Sequence, residues 1–265
     1  MNSTFSREFV FQLFALIIAV ILVHGIYVTV VWPNAGAVLA EQRARMAQDP
    51  DFVPESSLWI IVKDYEQESC FVLALWCIAI IGYKGNALRR ERRLLDEALI
   101  PIAEGVRVLP EDTREYLRQL QALPPADRAS LLPRALQNAL IRFGATRNVQ
   151  DVASATHQLA SSEGERLESE LSMVRYILWA IPAIGFIGTV RGIGLALNMA
   201  HLAVEGDVSG VTENLGTAFN STLIALLLSI PLMFLVHQLQ LMQERLVFDV
   251  EAYTDDRLIR HLHTD

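Results

Sequence analysis

Residues 177–202, ILWAIPAIGFIGTVRGIGLALNMAHL, and residues 215–236, LGTAFNSTLIALLLSIPLMFLV, decide the fold of this chain. Each stretch is long and apolar enough to cross a bilayer as a helix, which takes roughly 20 residues. Only a short acidic loop, residues 203–214, connects them. The two stretches therefore predict a hairpin of membrane-spanning helices, because a helix satisfies its backbone hydrogen bonds internally.

Two earlier stretches extend this interpretation to four spans. Residues 9–31 form a long apolar run, whereas residues 69–83 form a short one that must borrow length from its flanks. None of the four stretches contains Asp or Glu. We predict an all-α fold: a polytopic membrane helix bundle with long helices extending into the cytoplasm and no carboxylate of its own inside a span.

The composition fits a membrane protein and argues against other classes. Of the 265 residues, 52% are hydrophobic and 20% are charged, and the mean hydropathy is +0.31, which is more apolar than a usual soluble domain. The net charge of -8 comes without a basic patch, so no nucleic-acid partner is expected. Cys70 and Cys77 share one face of an apolar helix and are interpreted as packing thiols, not as metal or redox groups.

Basic residues set the predicted orientation, because Lys and Arg near span ends are retained on the cytoplasmic side. Lys84 and four arginines follow the second span directly. Residues 203–214 contain no Lys or Arg, and residues 33–68 contain few for their length. We expect a multi-pass protein of the bacterial cytoplasmic (inner) membrane, with both termini in the cytoplasm and these two segments in the periplasm.

The same pattern divides the chain into six segments. A cleaved signal peptide is the alternative for the first, since Arg7 precedes the apolar run and small residues follow it at 35–37, but the run is long for a signal peptide. Asn148, three residues before Asp151, predicts the cap of a long helix that leads into the third span. The segments are a transmembrane anchor (1–32), a periplasmic segment (33–68), the second span (69–83), a cytoplasmic helical domain (84–176), the paired last spans (177–238) and a cytoplasmic amphipathic helix (239–265).

Small residues recur at helical spacing on both of the last two spans. In the third span Gly185, Gly188 and Gly192 fall on one face, which another helix can approach closely. Such faces are open to two interpretations, a water-contacting pore or a surface that only holds membrane helices together. The fourth span has a small, hydroxylic face with polar neighbours, comprising Ala218, Thr222, Ala225 and Ser229 with Thr217, Asn220 and Ser221.

These faces carry a family resemblance. Segments 184–193, IGFIGTVRGI, and 216–231, GTAFNSTLIALLLSIP, resemble the paired signature of the MotA/TolQ/ExbB proton-channel family. The resemblance covers roughly residues 150–250 in sequence, and the order of the last three spans also follows the family plan. Matched position by position, the pore threonines of the family correspond to Thr189 and Thr222.

The resemblance implies that the paired spans 177–238 form a channel within a larger assembly. In that family, five copies surround two single-span partners of the ExbD/TolR/MotB type, and an Asp of the partner helix meets hydroxyl groups of the channel subunit. It implies a homopentamer in the lipid bilayer, a partner dimer, no cofactor, and H+ as the transported ion with Na+ as the second choice. We expect pore lining by Thr189, Thr222, Ser221, Ala218, Ala225 and Ser229, and helix packing by Gly185, Gly188 and Gly192.

Three features depart from the family pattern. Arg191 replaces an apolar or aromatic residue of ExbB-like chains, Thr217 stands where the ExbB and TolQ pattern has Glu, and an additional span comes first. Arg191 either anchors the third span at the membrane interface, pairs with Glu205 or Asp207, or meets the partner. Arg191, Thr217 and Asn220 are thus candidates for an outer vestibule or a partner contact.

The expected function is a motor subunit that uses the proton motive force, with an Asp-bearing partner, to energise an envelope process. The alternative is a non-conducting oligomeric scaffold or signalling adaptor. An enzyme is not expected, because the spans lack a Ser/His, paired-Asp or metal-ligand constellation. Transport, envelope maintenance, motility and phage defence stay open as the driven process.

Cysteine labelling tests the predicted orientation, in a chain whose Cys70 and Cys77 are replaced by alanine. A membrane-impermeant maleimide added to intact spheroplasts should label Asp207→Cys, in the predicted periplasmic loop. It should not label Asn86→Cys, which follows the basic end of the second span. Labelling of Asn86→Cys from outside would reverse the orientation.

Overall fold

The computed structural model describes residues 2–49, 52, 57–103, 105–204 and 206–264, with side chains from Arg7 onward. These residues are predominantly helical, and their only β pairing is a single parallel bridge between Val108 and Leu262. The predicted all-α fold is confirmed.

Two compact units make up the chain, residues 1–81 with 173–236 and residues 82–172 with 237–265. A π-helical turn, Tyr27–Val31, continues the first helix into the second, and a 3₁₀ turn, Ile259–His261, follows the last helix. The helices are α1 (Asn2–Ile26), α2 (Trp32–Gln48), α3 (Leu58–Ile61), α4 (Tyr65–Arg93), α5 (Thr113–Gln121), α6 (Pro125–Arg128), α7 (Leu131–Thr146), α8 (Val149–Ser169), α9 (Ser172–Asn198), α10 (Ala200–Val204) and α11 (Ser209–Arg257).

Four helical segments of the described chain are long and apolar enough to cross a membrane. Large side chains on them stay mostly exposed, including Trp179, Phe186 and Phe219, as expected for surfaces that face lipid or neighbouring subunits. The segments support a multi-pass membrane protein and match the four predicted spans. They are Arg7–Gln48, Tyr65–Arg93, Val149–Asn198 and Ser209–His261.

Helix α9 ends four residues before the end that we predicted for the third span. We expected the span to reach Leu202, but α9 ends at Asn198. The imidazole Nδ1 of His201 lies 3.0 Å from the carbonyl oxygen of Asn198. This side chain satisfies a carbonyl at the helix end, where no further turn of the helix supplies a donor.

The short second span lies within a longer helix that extends beyond it on both sides. Helix α4 begins at Tyr65, four residues before the predicted start at Ser69, and continues to Arg93. Glu66 and Glu68 therefore lie in the first turn of this helix, ahead of its apolar stretch. The segment boundary that we drew at residue 68 falls inside this helix, and two carboxylates belong to the helical bundle of the first unit.

The π-helical turn aligns the first span with the start of α4. Tyr27 and Val31, at the two ends of the turn, are buried in a cluster that Phe71 of α4 also contacts. The next residue, Trp32, donates its indole N–H to the carbonyl oxygen of Lys63, at 2.9 Å. The additional, N-terminal span is thereby fixed to the segment that leads into α4.

The second unit has a core of its own, formed by α5, α7, α8 and the end of α11. The predicted amphipathic helix of residues 239–265 contributes Leu239, Leu246 and Val250 to buried positions, whereas Met242 is exposed. Among the described residues of this unit, the large side chains that are fully buried are Leu94, Leu120, Leu132, Leu136, Leu140, Phe143, Leu171, Leu239 and Leu258.

The connection between α7 and α8 shows the predicted cap. Arg147 adopts a left-handed conformation with φ of 51° and donates its N–H to the Phe143 carbonyl, at 2.9 Å. The Asn148 side chain then accepts hydrogen bonds from the N–H groups of Gln150 (2.9 Å) and Asp151 (3.4 Å). The cap prediction at Asn148 is confirmed, because these bonds satisfy the first free N–H groups of α8.

Candidate functional site

Helices α9 and α11 approach each other so closely that three positions of α9 have room only for glycine. A Cβ atom at any of them would lie within 3 Å of a Cβ atom on α11, closer than carbon atoms pack. The three glycines expected to pack helices therefore lie at this contact. The pairs are Gly185 with Ala225 at 2.4 Å, Gly188 with Ser221 at 2.5 Å, and Gly192 with Ala218 at 2.7 Å.

The same contact buries small residues of α11 that we expected to line a pore. Ala218, Ser221 and Ala225 face the glycines of α9 within the chain, and Ser229 is buried as well. The hydroxyl of Ser229 donates to the carbonyl of Leu226 in its own helix. Pore lining by these four residues is a property of an assembly and stays a prediction.

Thr189 and Thr222 meet across the α9–α11 contact. Their hydroxyl oxygens are 2.5 Å apart. The Thr189 hydroxyl also lies 3.0 Å from the Ala218 carbonyl oxygen, and the Thr222 hydroxyl lies 3.1 Å from the Gly185 carbonyl oxygen. Both threonines are half-buried, so each residue keeps some exposed surface although its hydroxyl makes internal hydrogen bonds.

Around the hydroxyl pair, the number of oxygen atoms that can accept a hydrogen bond exceeds the two protons that the hydroxyls can donate. Each Thr hydroxyl has one proton to donate and two lone pairs to accept with. If Thr189 donates to Ala218 and Thr222 donates to Gly185, no proton lies between the two hydroxyl oxygens. If Thr222 donates to Thr189 instead, the Gly185 carbonyl loses that donor. The pair can therefore switch between proton arrangements, and its free lone pairs can accept from a protonated carboxyl group.

Helix α4 joins the contact at Gly188, where the side chains of Glu66 and Ser221 both lie close to the glycine. A Cβ on Gly188 would lie 3.2 Å from Cγ of Glu66 and 2.6 Å from the Ser221 hydroxyl oxygen. The buried Gln67 side chain donates from Nε2 to Ser221 Oγ, at 3.3 Å, and to the Ile61 carbonyl oxygen, at 3.1 Å. Three spans thus bring polar groups together around one glycine.

Arg191 pairs with Glu66, a partner that the sequence did not suggest. Its Nε lies 2.7 Å from Glu66 Oε1, and its Nη2 lies 2.8 Å from Oε2, which is a bidentate ion pair. Of the partners that we had considered, Glu205 lies outside the described residues. The exposed Asp207 instead accepts from the hydroxyl and the backbone N–H of Ser209, and these bonds lower the pKa of its carboxyl group.

The ion pair belongs to a larger polar group, which we name the α4 polar cluster. Besides Arg191 and Glu66 it includes a contact of 2.7 Å between His24 Nδ1 and Glu68 Oε1. Sequence reasoning missed the cluster because we started the second span at Ser69. The shortness of that span, which required residues from its flank, was the available indication. The members are His24, Lys63, Asp64, Glu66, Gln67, Glu68 and Arg191.

Thr217 and Asn220 lie on α11 beside the buried face and are both half-buried. The Thr217 carbonyl accepts from the Ser221 hydroxyl at 3.1 Å, within the helix. Neither side chain joins the α9–α11 contact described above. Their assignment to an outer vestibule or a partner contact stays a prediction.

Comparison with known proteins supports the family resemblance. Residues 127–252 match the MotA/TolQ/ExbB proton channel family. The matched segment contains both last spans and the hydroxyl pair, so the resemblance is confirmed. A comparison with curated proteins found no match.

Alanine substitutions at two neighbouring glycines test the α9–α11 contact. Gly192→Ala should lower the thermal midpoint of the purified chain, because the new methyl group would meet the Ala218 Cβ at 2.7 Å and the Asn214 carbonyl at 2.8 Å. Gly194→Ala is the matched control, since its Cβ would enter open space. That control should be neutral or stabilising by up to ~1 kcal/mol, the helix preference for Ala over Gly. Equal midpoints for the two variants would contradict the contact.

Proposed function

We propose that the chain is the channel-forming subunit of a proton-driven motor in the bacterial inner membrane, because residues 127–252 match the MotA/TolQ/ExbB proton channel family. The motor works with a single-span partner of the ExbD/TolR/MotB type that carries an Asp in its membrane helix. The match to this family supports a channel-forming subunit. The motor, its partner and the driven process are our proposal.

The hydroxyl pair is the observation that carries this proposal. Thr189 and Thr222 come from different spans, their hydroxyl oxygens lie 2.5 Å apart, and both residues are half-buried. A protonated carboxyl group of the partner can donate to one of them, and an ionised one can accept from them. The pair can therefore solvate the partner carboxylate in both protonation states, which membrane carboxylates need because charge is costly in hydrocarbon.

The mechanism follows from that double role. When the partner carboxylate is ionised, hydrogen bonds from hydroxyl groups favour the charged form, and loss of those bonds favours protonation. A partner helix that moves relative to the hydroxyl pair therefore changes the affinity of its carboxyl group for a proton. Proton movement down its gradient is coupled in this way to helix movement, and movement of the partner performs the work. The same oxygen ligands suit Na+ as the second choice.

A ring of identical subunits provides such a surface all around the partner. We expect a homopentamer, and native mass spectrometry of the purified chain should show five copies. The number five is carried over from the family resemblance, and the apolar surface that α9 and α11 leave exposed, including Phe186, Phe219 and Ile230, is available for contacts between subunits. A stable monomer in the same detergent would contradict the pentamer.

The alternative function is a non-conducting scaffold or signalling adaptor. The burial of Ala218, Ser221 and Ala225 against glycines favours it, because close packing alone explains these small residues. It does not explain why two threonine hydroxyls with free lone pairs lie together at a half-buried position. A scaffold also tolerates removal of those hydroxyls, whereas a motor does not.

Removal of the hydroxyls with preserved shape tests the motor. Thr189→Val with Thr222→Val should lower proton flux in proteoliposomes, measured with the partner present, by roughly tenfold or more, since a hydrogen bond to a charged group contributes about 1.5–3 kcal/mol. Assembly should survive, because an interhelical hydrogen bond in a membrane contributes only about 0.6 kcal/mol. Thr→Ser at either position should cost less.

Thr29→Val is the matched control for that experiment. Its hydroxyl donates at 2.7 Å to the Gly25 carbonyl in the same helix, away from the hydroxyl pair. The control should retain both flux and assembly. Wild-type flux in the double valine variant, or strong flux without any partner, would remove the hydroxyl pair from the mechanism and favour the scaffold.

A further inference from the structure

The first turn of α4 contacts both of the helices that carry the hydroxyl pair. We propose that Glu66 and Gln67, two consecutive residues of this turn, are positioning residues that hold α9 and α11 in the register at which the hydroxyls of Thr189 and Thr222 meet. We name Glu66 and Gln67 the α4 tie. The role of the tie in proton flux rests on the proposed function, whereas its effect on register is a property of the chain alone.

Glu66 contacts α9 immediately before and shortly after Thr189. Its Oε1 accepts from Nε of Arg191 at 2.7 Å, and its Oε2 accepts from Nη2 at 2.8 Å. Its side chain also passes Gly188, where a Cβ atom would lie 3.2 Å from Glu66 Cγ. Gly188 directly precedes Thr189, and Arg191 follows that threonine by two positions. Because two parallel bonds fix direction as well as distance, Glu66 restrains both the sliding and the rotation of α9.

Gln67 contacts α11 at the residue before Thr222. Its Nε2 donates to Ser221 Oγ at 3.3 Å and to the Ile61 carbonyl oxygen at 3.1 Å. The Ser221 hydroxyl in turn donates to the Thr217 carbonyl of its own helix, at 3.1 Å. Gln67 is 0% exposed, so its amide is shielded from water. These bonds attach α11 to the start of α4 next to its threonine.

Consecutive residues can hold two different helices because successive side chains of an α-helix point about 100° apart around its axis. Glu66 reaches α9 and Gln67 reaches α11 in this way. One turn later, the thiol of Cys70 lies 3.6 Å from the Ile181 carbonyl oxygen on α9. The backbone of α4 therefore sets the offset between its attachment points on the two helices.

The α9–α11 contact itself restrains register only weakly, because its faces are smooth. Side chains that form ridges and grooves are what interlock two packed helices. The glycines at 185, 188 and 192 allow close approach but provide no ridge. Yet the hydroxyl pair tolerates little sliding, since hydrogen bonds are lost beyond about 3.2 Å or when poorly aligned. A charged, bidentate bond is roughly twice as strong as a neutral one, so the ion pair of the tie is a strong restraint on this register.

Disulfide formation between Thr189→Cys and Thr222→Cys measures the register directly, in the full chain in lipid nanodiscs without partner. The two hydroxyl oxygens lie 2.5 Å apart, so the thiols that replace them should meet and crosslink with copper phenanthroline as the oxidant. Cys70→Ala and Cys77→Ala remove the other thiols from every variant. The rate is measured well below the thermal midpoint, where nearly all molecules are folded.

Release of either end of the tie should slow the crosslink. Glu66→Gln keeps the size of the side chain but loses the charge and the second acceptor, and Gln67→Met keeps its length without a donor. We expect each to lower the rate by roughly five- to tenfold, the factor that corresponds to the loss of one hydrogen bond. Ser221→Ala, which removes the acceptor on α11, should match Gln67→Met.

Arg191→Lys separates positioning from anchoring at the membrane interface. A lysine keeps the charge and can reach the same interface, but its ammonium cannot form the bidentate contact with Glu66. As part of the tie, Arg191→Lys should slow the crosslink about as much as Glu66→Gln does. A wild-type rate in Arg191→Lys would assign the arginine to anchoring and contradict the tie.

The double variant separates a tie from two independent contacts. Once one end is released, the other end no longer sets the offset between α9 and α11. Glu66→Gln with Gln67→Met should therefore crosslink about as slowly as the slower single variant. Independent effects would multiply instead, to roughly 25- to 100-fold, and that result would contradict the tie.

Glu68→Gln is the matched control. Glu68 lies in the same turn of α4, but its contact with His24 Nδ1, at 2.7 Å, joins α4 to the first span. A contact that only adds stability can lower the thermal midpoint and still leave nearly all molecules folded. The control should therefore crosslink at the wild-type rate.

Two outcomes would overturn the proposal: a wild-type crosslinking rate in Glu66→Gln, or no crosslink in the parent with the tie intact. Flux with the partner is measured separately in proteoliposomes, where Glu66→Gln should lower it while assembly survives. Slow crosslinking with unchanged flux would keep the tie and remove the hydroxyl pair from the motor. Unchanged crosslinking would remove the tie and leave the proposed channel function to its own test.

Discussion

The rest of the first unit depends on the distance between α9 and α11. Apolar side chains gain little by moving from lipid to a helix contact, so membrane helices associate through close packing and hydrogen bonds. Glycine at 185, 188 and 192 removes the side chains that would hold the two helices apart. Only at this separation can a hydroxyl on one helix reach a backbone carbonyl on the other, as those of Thr189 and Thr222 do.

Close packing also determines where charge can lie. Gly188 leaves space for the Glu66 side chain, and the bidentate contact with Arg191 compensates its charge. Without the arginine, the partly buried carboxylate of Glu66, whose side chain is 13% exposed, would lose its bidentate partner, which is unfavourable for a charge shielded from water. The departure of Arg191 from the family pattern is thereby explained by α4, whose first turn supplies the counter-charge.

The sequence predicted the features that depend on local pattern. Four apolar stretches, the cap at Asn148 and the glycine spacing on the third span all follow from neighbouring residues, and the structure contains each of them. The ion pair between Glu66 and Arg191 could not be predicted in this way. Its members are 125 positions apart, and the pairing depends on where α4 begins, which hydropathy defines only to within a few residues.

The π-helical turn of the first span has a consequence for register. In a regular α-helix, residues eight apart such as His24 and Trp32 point about 80° away from each other around the axis. Across Tyr27–Val31 the wider winding brings their rings to 5.8 Å, and His24 reaches Glu68 while Trp32 reaches Lys63. The additional residue of the π-helical turn thus changes the direction in which the following side chains point around the helix axis. Two polar side chains, one before the turn and one after it, therefore contact the same segment at the start of α4. The contact between His24 and Glu68 in the α4 polar cluster thus depends on the length of this turn.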